Sequence, residues 1–343
     1  MRAVVITRHG PPEVLEVQER PDPVAGPGQV VIAVEAAGIN FADLLARTGM
    51  YPDAPKPPCV VGYEVAGTVR SVGAGADRFE VGDRVLGGSK FNGYAELVAC
   101  NEADVIPLAE RLSFEQGAAV PVNYATAHAG LILMGGLREG DRVLIHAAAG
   151  GVGIAASQIA RNVGAEVFGT ASASKHEAIR SYGVTHPIDY NAADFEEVVR
   201  EITGGEGIDV AFDAIGPSSF RKDYRLLRPG GRLVCFGLSE VQTGEGRNIP
   251  GLLKGLAGMT TATMPWWKSL AMMNENKGVF GLNMLSWWQT EGNLRRVIEP
   301  LAEDLASGAL EPVVAEAFPF ERAAEAHRFI HERRNVGKVV LVP

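Results

Sequence analysis

Hydrophobic residues follow two different rhythms along the chain, and the change comes near residue 120. Before that point, short aliphatic runs alternate with glycine and proline, as in 3-AVVIT-7, 29-QVVIAVEAAGI-39 and 65-VAGTVRSVG-73. Short apolar runs bounded by turn residues are typical of β-strands. We therefore expect the first part of the chain to form an all-β, barrel-like unit.

After about residue 124, strand-like and helical patterns alternate. The strand-like runs are 142-RVLIHA-147, 166-EVFGT-170, 208-IDVAFDA-214 and 231-GRLVCFG-237. Helical stretches such as 152–164 and 194–203 separate them, and helices over 293–308 and 320–334 precede a last strand at 337–342. Alternation of this kind predicts βαβ units around a parallel sheet. The predicted fold class is α/β, a doubly wound sheet with a separate β-barrel domain.

Composition narrows the function classes. The chain has 343 residues, 46% of them hydrophobic, and a net charge of -9. It has no basic run, which argues against a nucleic-acid partner. The three cysteines are far apart, and the N-terminus reads as a strand rather than a signal peptide, so we expect a cytoplasmic protein. The most apolar region, 249-IPGLLKGLAGMTTATMPWW-267, contains a lysine and two prolines and does not read as a membrane-spanning helix.

One glycine-rich stretch, 146-HAAAGGVGIAASQIA-160, joins a strand to a helix. Its residues align as Ala148-x-Gly150-x-x-Gly153, with Gly151 and Val152 between the two glycines. Amide groups at a helix start, together with the helix dipole, favour a pyrophosphate. A tight turn without a ligand is the alternative, but the βαβ context favours a dinucleotide site. Alanine at position 148 costs little if its φ is negative.

The second strand indicates which dinucleotide is bound. An acidic residue that binds the ribose is expected about 20 residues after the loop. The corresponding segment, 169-GTASASK-175, has Thr170, Ser174 and Lys175 but no carboxylate. Because a lysine favours a 2′-phosphate, we predict NADPH. The alternative is that Lys175 is a solvated residue that opens a helix.

The segments 140-GDRVLIHAAAGGVGIAASQIAR-161, 36-AAGINFADLLARTGMYP-52 and 335-NVGKVVLVP-343 resemble the quinone oxidoreductase branch of the medium-chain dehydrogenase/reductase superfamily. Within it, 170-TASASKHEAIRSYGVTHPIDY-190 is similar to the vesicle amine transport protein homologues. The resemblance implies a GroES-like catalytic domain (1–123), a Rossmann domain for NADP (124–285), a C-terminal segment (286–343) that returns to the first domain, and a homodimer.

The resemblance also implies roles for individual residues. Lys175 and Tyr190 would flank the 2′-phosphate with Ser174 nearby, and Asn40 and Asp43 would lie near the nicotinamide with Tyr51 on the substrate side. Further expected cofactor contacts at strand ends and in the last segment are Ile215, Gly216, Phe236, Gly237, Asn335 and Lys338. For Asn40 and Asp43, a role in capping the following turn is an equal alternative.

Zinc-dependent relatives carry a catalytic cysteine where this chain has Asn40 and a histidine where it has Tyr63. A catalytic zinc needs about three protein ligands, so we expect no metal. His327 and His331, a pair at helical spacing, are interpreted as surface or helix-packing residues.

Without a Lewis acid, alcohol oxidation is disfavoured, whereas quinones and α,β-unsaturated carbonyls accept hydride directly. We therefore expect NADPH to reduce a small hydrophobic carbonyl or quinone compound held by Asn40, Tyr51 and Tyr63. The alternative is a nucleotide-binding protein that contacts lipid or a peripheral membrane surface through the tryptophan- and methionine-rich segment 249–288. That segment is otherwise interpreted as a pocket wall and dimer edge.

Overall fold

The structure, a computed structural model, describes residues 1–241 and 269–343. These residues divide into two compact units. Unit 1 contains residues 1–125 and 285–343, and unit 2 contains residues 126–241 and 269–284.

Unit 1 is built mainly from antiparallel strands. In chain order they are β1 (Arg2–Ile6), β2 (Leu15–Glu19), β3 (Gln29–Ile39), β4 (Cys59–Val60), β5 (Glu64–Val72), β6 (Arg84–Gly88), β7 (Leu97–Asn101), β8 (Val105–Pro107), β15 (Val314–Pro319) and β16 (Lys338–Val342). A small sheet has the order β2-β1-β4, and a larger one has the order β15-β16-β3-β5-β6-β8 with β7 also paired to β3. Alternate residues of β3 and β5, such as Val30, Ile32 and Val69, are buried in its core.

The last strand brings together two residues of unit 1 that are far apart in the sequence. β16 pairs antiparallel with the end of β3, with Val339 opposite Ile39 and Val340 opposite Gly38. Because β16 begins at Lys338 and β3 ends at Ile39, this register brings Lys338 next to Asn40. Residues almost 300 positions apart in sequence thus become neighbours.

Unit 2 contains a six-stranded sheet in which all pairings are parallel. Its strands are β9 (Arg142–Ile145), β10 (Glu166–Ala171), β11 (His186–Asp189), β12 (Ile208–Asp213), β13 (Leu227–Cys235) and β14 (Gly278–Gly281). The order is β11-β10-β9-β12-β13-β14. This is the Rossmann order, in which the direction of winding reverses between the first and fourth strands. The sheet core includes Leu144, Phe168 and Leu233.

The helices connect these strands. Those in the described ranges are α1 (Phe41–Thr48), α2 (Phe114–Gly117), α3 (Pro121–His128), α4 (Gly151–Val163), α5 (His176–Ser181), α6 (Phe195–Ile202), α7 (Pro217–Leu226), α8 (Ser269–Glu275), α9 (Met284–Glu291), α10 (Arg295–Ile298), α11 (Ala302–Ser307) and α12 (Ala323–His331). A π-helical segment, Ala129–Met134, follows α3. None of the described helices is long and apolar enough to cross a membrane.

The predicted fold class is confirmed, and the differences are local. The single helix expected over 293–308 is divided into α10, a short 3-10 turn at Glu299–Leu301, and α11. Pro300 lies at the break, because proline lacks the amide hydrogen that a continuous helix needs. The parallel strand β15 was not predicted, since its run 314-VAEAFP-319 shows little alternation.

Candidate functional site

Most of the predicted cofactor residues lie at one edge of the unit 2 sheet. The loop Ala147–Gly150 follows β9, Thr170 is the penultimate residue of β10, and Tyr190 follows β11. Gly216 follows β12, and Gly237 follows β13. Because all these strands are parallel, their carboxyl ends meet at the same edge, which is where open α/β sheets bind ligands.

The glycine-rich loop has the geometry of a phosphate site. Helix α4 begins at Gly151, and its N-cap, Gly150, has an extended backbone with φ of -77°. Because glycine has no side chain, Gly150 cannot cap the first amides of α4. The N–H groups of these amides point outward from the N-terminal end of the helix, where a ligand can accept their hydrogen bonds. A Cβ at position 153 would lie 2.3 Å from the carbonyl oxygen of Ala147, so only glycine permits this close helix–strand packing.

The strained residue of the loop is Ala147, one position before the alanine that the sequence singled out. Ala147 has a left-handed φ of 51°, whereas Ala148 is not among the residues with positive φ. Alanine at 148 is therefore unstrained, as the dinucleotide interpretation required. A non-glycine residue in the left-handed region costs about 1–3 kcal/mol, so neighbouring contacts must hold Ala147 in place.

The residues predicted for the 2′-phosphate follow adjacent strands. Lys175 ends a 3-10 turn, Ala173–Lys175, just beyond β10, and it is half-buried. Ser174 is exposed, and Tyr190 is 43% exposed beyond β11. Thr170 differs from them, because its buried hydroxyl lies 3.1 Å from His146 Nδ1 and accepts a hydrogen bond from the Ala147 amide. Thr170 thus stabilises the glycine-rich loop from within the protein.

Two further loops of the same edge are tightly built. Gly216 has φ of 132°, and its amide donates to Asp213 Oδ1 at 3.3 Å. The ring of Phe236 stacks on Phe212 with centroids 3.9 Å apart. A Cβ at Gly237 would lie 2.7 Å from the carbonyl oxygen of Ala214.

In unit 1, Asn40 lies inside a buried charged network. Its Oδ1 accepts a hydrogen bond from Lys338 Nζ at 2.6 Å, and its Nδ2 donates to Glu64 Oε1 at 2.8 Å. Lys338 and Glu64 form an ion pair, with side chains 3% and 0% exposed. The lysine also reaches Asn123 Oδ1 at 3.5 Å, and Glu64 accepts the Val122 amide at 2.7 Å. Since a cation faces Oδ1 and an anion faces Nδ2, the charges fix the orientation of the Asn40 amide.

Glu64 and Asn123 were not predicted as site residues. For Glu64, the available signal was a carboxylate directly after Tyr63, at the start of a strand whose next three residues, Val65, Ala66 and Gly67, are apolar. Asn123 had no signal in the sequence, because its contact with Lys338 depends on residues 215 positions apart.

Asp43 serves as the buried cap of α1. Its carboxylate accepts hydrogen bonds from the Asn40 amide at 2.8 Å, the Gly62 amide at 3.1 Å and the Tyr94 hydroxyl at 2.9 Å. Burial raises its pKa to about 7 in spite of these donors. The geometry therefore favours the capping alternative for Asp43 over direct contact with a substrate.

Tyr51 and Tyr63 form an edge-to-face pair with ring centroids 6.4 Å apart. The Tyr63 side chain is buried, and its hydroxyl has no hydrogen-bond partner within the described part of the chain. Burial raises the pKa of Tyr51 to about 12 and that of Tyr63 well above 10. Both phenols therefore stay protonated and can act as hydrogen-bond donors.

The last segment places Asn335 and Lys338 differently. Asn335 Nδ2 donates to the carbonyl of Gly337 at 2.9 Å, within its own turn. Lys338 is buried in the Asn40 network. His327 and His331 pack against the buried guanidinium of Arg47, with His331 Nε2 2.7 Å from Arg47 Nη2, so both are helix-packing residues as interpreted.

The apolar segment 249–288 is only partly described. Trp266, Trp267, Met259 and Met264 lie outside the described residues. Trp288 is 3% exposed and packs in unit 1, whereas Met273 is 69% exposed in unit 2. Trp288 is therefore core, not part of an exposed membrane patch. Strand β14 lies at the edge of its sheet, and its pairing with a second copy of the chain stays a prediction.

The family models that match are an alcohol dehydrogenase GroES-like domain over residues 26–110 and a zinc-binding dehydrogenase over residues 182–341. The synaptic vesicle membrane protein VAT-1 homolog of Rattus norvegicus is 39% identical over 352 residues, covering 100% of this chain and 84% of the rat protein. The chain belongs to the medium-chain dehydrogenase/reductase superfamily.

Solved structures of superfamily members support the same assignment. The human VAT-1 homolog-like protein is 32% identical, with a TM-score of 0.85 and coverage of 100% of this chain and 98% of that one. The Escherichia coli quinone oxidoreductase complexed with NADPH is 28% identical, with a TM-score of 0.85 and full coverage of both chains. This chain is thus an oxidoreductase of the medium-chain type, a superfamily that binds nicotinamide cofactors.

The side chains at the expected zinc-ligand positions do not fit the metal that the matched family model names. Asn40 and Tyr63, which stand at the expected ligand positions, offer an amide and a protonated phenol rather than a thiolate and an imidazole. The adjacent carboxylate of Glu64 is paired with Lys338. Among the described residues, the one grouping of three His, Cys, Asp or Glu side chains within ligand distance is His146, Asp213 and Asp223, in unit 2.

Proposed function

We propose that this medium-chain enzyme transfers hydride from NADPH to quinones or α,β-unsaturated carbonyl compounds without zinc. The observation that carries the proposal is the Tyr63 hydroxyl, a buried donor without a partner in the described ranges, beside Tyr51. An unpaired buried hydroxyl costs about 1–3 kcal/mol, which a ligand oxygen would offset by accepting its hydrogen bond.

Such a substrate suits a site that offers hydrogen bonds and no Lewis acid. A quinone or enone accepts hydride directly, and the resulting oxyanion is stabilised by resonance. Tyr63, Tyr51 and the second Nδ2 hydrogen of Asn40 would donate to that oxygen. Bound NADPH would supply the hydride, and we assign the final proton to water, because the pKa values of both phenols are raised.

The preference for NADPH rests on Lys175, with Ser174 and Tyr190 beside the same sheet edge. The lysine charge would favour the 2′-phosphate that distinguishes NADPH from NADH. We expect Lys175→Ala to weaken NADPH binding selectively and leave NADH binding nearly unchanged. Equal losses for both cofactors, measured by fluorescence titration, would contradict this role.

The activity itself is tested by following the oxidation of NADPH by purified protein in the presence of 9,10-phenanthrenequinone, a simple quinone and an enone. Turnover of at least one of these, with none of a saturated ketone, supports the proposal. No turnover across the panel would refute it. Co-sedimentation with liposomes in the absence of NADPH oxidation would instead favour the lipid-interaction alternative.

A further inference from the structure

A buried charge cluster lies beneath the dinucleotide edge of unit 2. His146, Asp213 and Asp223 are 3%, 0% and 0% exposed, and they come from the end of β9, the end of β12 and the middle of α7. His146 Nε2 lies 2.9 Å from Asp223 Oδ1 and 4.0 Å from Asp213 Oδ2.

One side of the cluster supports the glycine-rich loop. His146 Nδ1 lies 3.1 Å from the hydroxyl of Thr170, which accepts the Ala147 amide at 3.3 Å. The Ala148 amide donates to the carbonyl of Thr170 at 3.0 Å. Thr170 therefore binds the amides on both sides of the left-handed residue Ala147, and His146 contacts the Thr170 hydroxyl that makes one of these bonds.

The other side supports the loop after β12. Asp213 Oδ1 accepts the amides of Ile215 and Gly216, and its Oδ2 accepts the Ser219 hydroxyl at 2.5 Å. Because Gly216 has a positive φ, this turn is also one that needs to be held. The loop after β9 and the loop after β12 are thus each stabilised by a residue of the same cluster.

One ring nitrogen of His146 and one carboxylate oxygen each of Asp213 and Asp223 lie within 4.8 Å of one another, so this buried cluster favours a further proton. Asp223 Oδ2 is buried and has no donor among the described residues. Burial, together with the charge of Asp223, raises the pKa of Asp213 well above its usual range. Burial alone would lower the pKa of His146, but the two aspartates outweigh it and raise that pKa to about 9. An imidazolium beside two carboxyl groups that share one proton is neutral as a whole, which a dry interior favours.

We propose that His146, Asp213 and Asp223 form a positioning cluster that locks the loops 147–150 and 214–216 together, with one proton shared by the two carboxyl groups. The loop coupling is a property of the fold. Its benefit to dinucleotide binding rests on the proposed function. Two loops that are already ordered would bind the cofactor without the entropy cost of ordering them.

Hydrogen exchange tests the coupling without any cofactor. Asp223→Ala changes a helix residue outside both loops, and it should accelerate amide exchange in peptides covering 146–153 and 213–219 together. Asp223→Asn should restore protection, because its Oδ1 can accept from His146 while its Nδ2 donates to Asp213 in place of the shared proton. Asp209→Ala is the control: this buried aspartate lies at the opposite end of β12 and accepts the Arg142 amide at 2.9 Å.

Titration with NADPH then tests the consequence. Asp223→Ala should weaken binding at least about tenfold, which corresponds to about 1.4 kcal/mol, while Asp223→Asn and Asp209→Ala stay close to wild type. Faster amide exchange confined to α7 would overturn the proposal. So would an Asp223→Asn variant that is no better protected and binds NADPH no more tightly than Asp223→Ala. A stoichiometric divalent metal in the purified protein that Asp223→Ala loses would overturn the shared proton. If wild type binds no dinucleotide but the exchange results hold, the proposed function fails and the coupling stands.

Discussion

The ion pair between Lys338 and Glu64 gives the sharpest quantitative prediction, because both side chains are almost completely buried. Lys338→Met removes the cation and leaves the Glu64 carboxylate with two donors, Asn40 Nδ2 at 2.8 Å and the Val122 amide at 2.7 Å. Removing one partner of a buried pair costs about 3–5 kcal/mol. Since two hydrogen bonds to Glu64 remain, we expect a loss near the lower limit, about 3 kcal/mol.

The double variant separates this reasoning from a loss of packing. Glu64→Gln removes the negative charge and leaves the buried Lys338 ammonium without its carboxylate partner, so by itself it should also cost about 3–5 kcal/mol. When Lys338→Met and Glu64→Gln are combined, no buried charge is left. The double variant should therefore be more stable than Lys338→Met alone.

Urea denaturation followed by circular dichroism measures all three variants. Lys222→Met is a matched control, because Lys222 pairs with Asp194, the two side chains are 34% and 35% exposed, and such a surface pair contributes only about 0–1 kcal/mol. A loss for Lys338→Met no larger than that of the control would refute the argument. A double variant less stable than Lys338→Met would refute it as well.

Three further outcomes follow from the geometry. Gly153→Ala should lower the free energy of unfolding by about 1–3 kcal/mol through overpacking and should abolish dinucleotide binding, since the new Cβ would lie 2.3 Å from the Ala147 carbonyl oxygen. Thermal melts check the stability and titration with NADPH checks the binding. Unchanged binding would contradict the close packing. Tyr63→Phe should keep or raise stability, because the deleted hydroxyl has no partner in the described chain, but should lower turnover of quinones; full activity would remove Tyr63 from the site. Burial and the nearby charge of Arg47 lower the pKa of His327 well below 6.5, and burial lowers that of His331 to about 4. Their stabilising effect is therefore complete above about pH 6.5 and declines as the pH falls toward 4, which urea midpoints at several pH values would show, and a flat profile would disprove it.

The sequence by itself determined the fold class and the position of the glycine-rich loop, because both follow from local patterns. Alternation of strand and helix implies a parallel sheet, and the carboxyl ends of parallel strands must meet at one edge. Gly153 marks a close backbone approach that any side chain would block. The family resemblance, confirmed by relatives matching the full chain, placed Asn40 and Tyr63 in the same unit.

Only the tertiary structure decided what each polar residue does, because a hydrogen bond depends on its partner as well as on the residue. Asn40 is oriented by Lys338, 298 positions away, because β16 pairs antiparallel with β3 and this register brings the two residues together. Asp43 is a buried cap and Thr170 is a loop support, although by type either could have faced a ligand. The cluster of His146, Asp213 and Asp223 could not be read from spacing, because two strand ends and a helix bring it together.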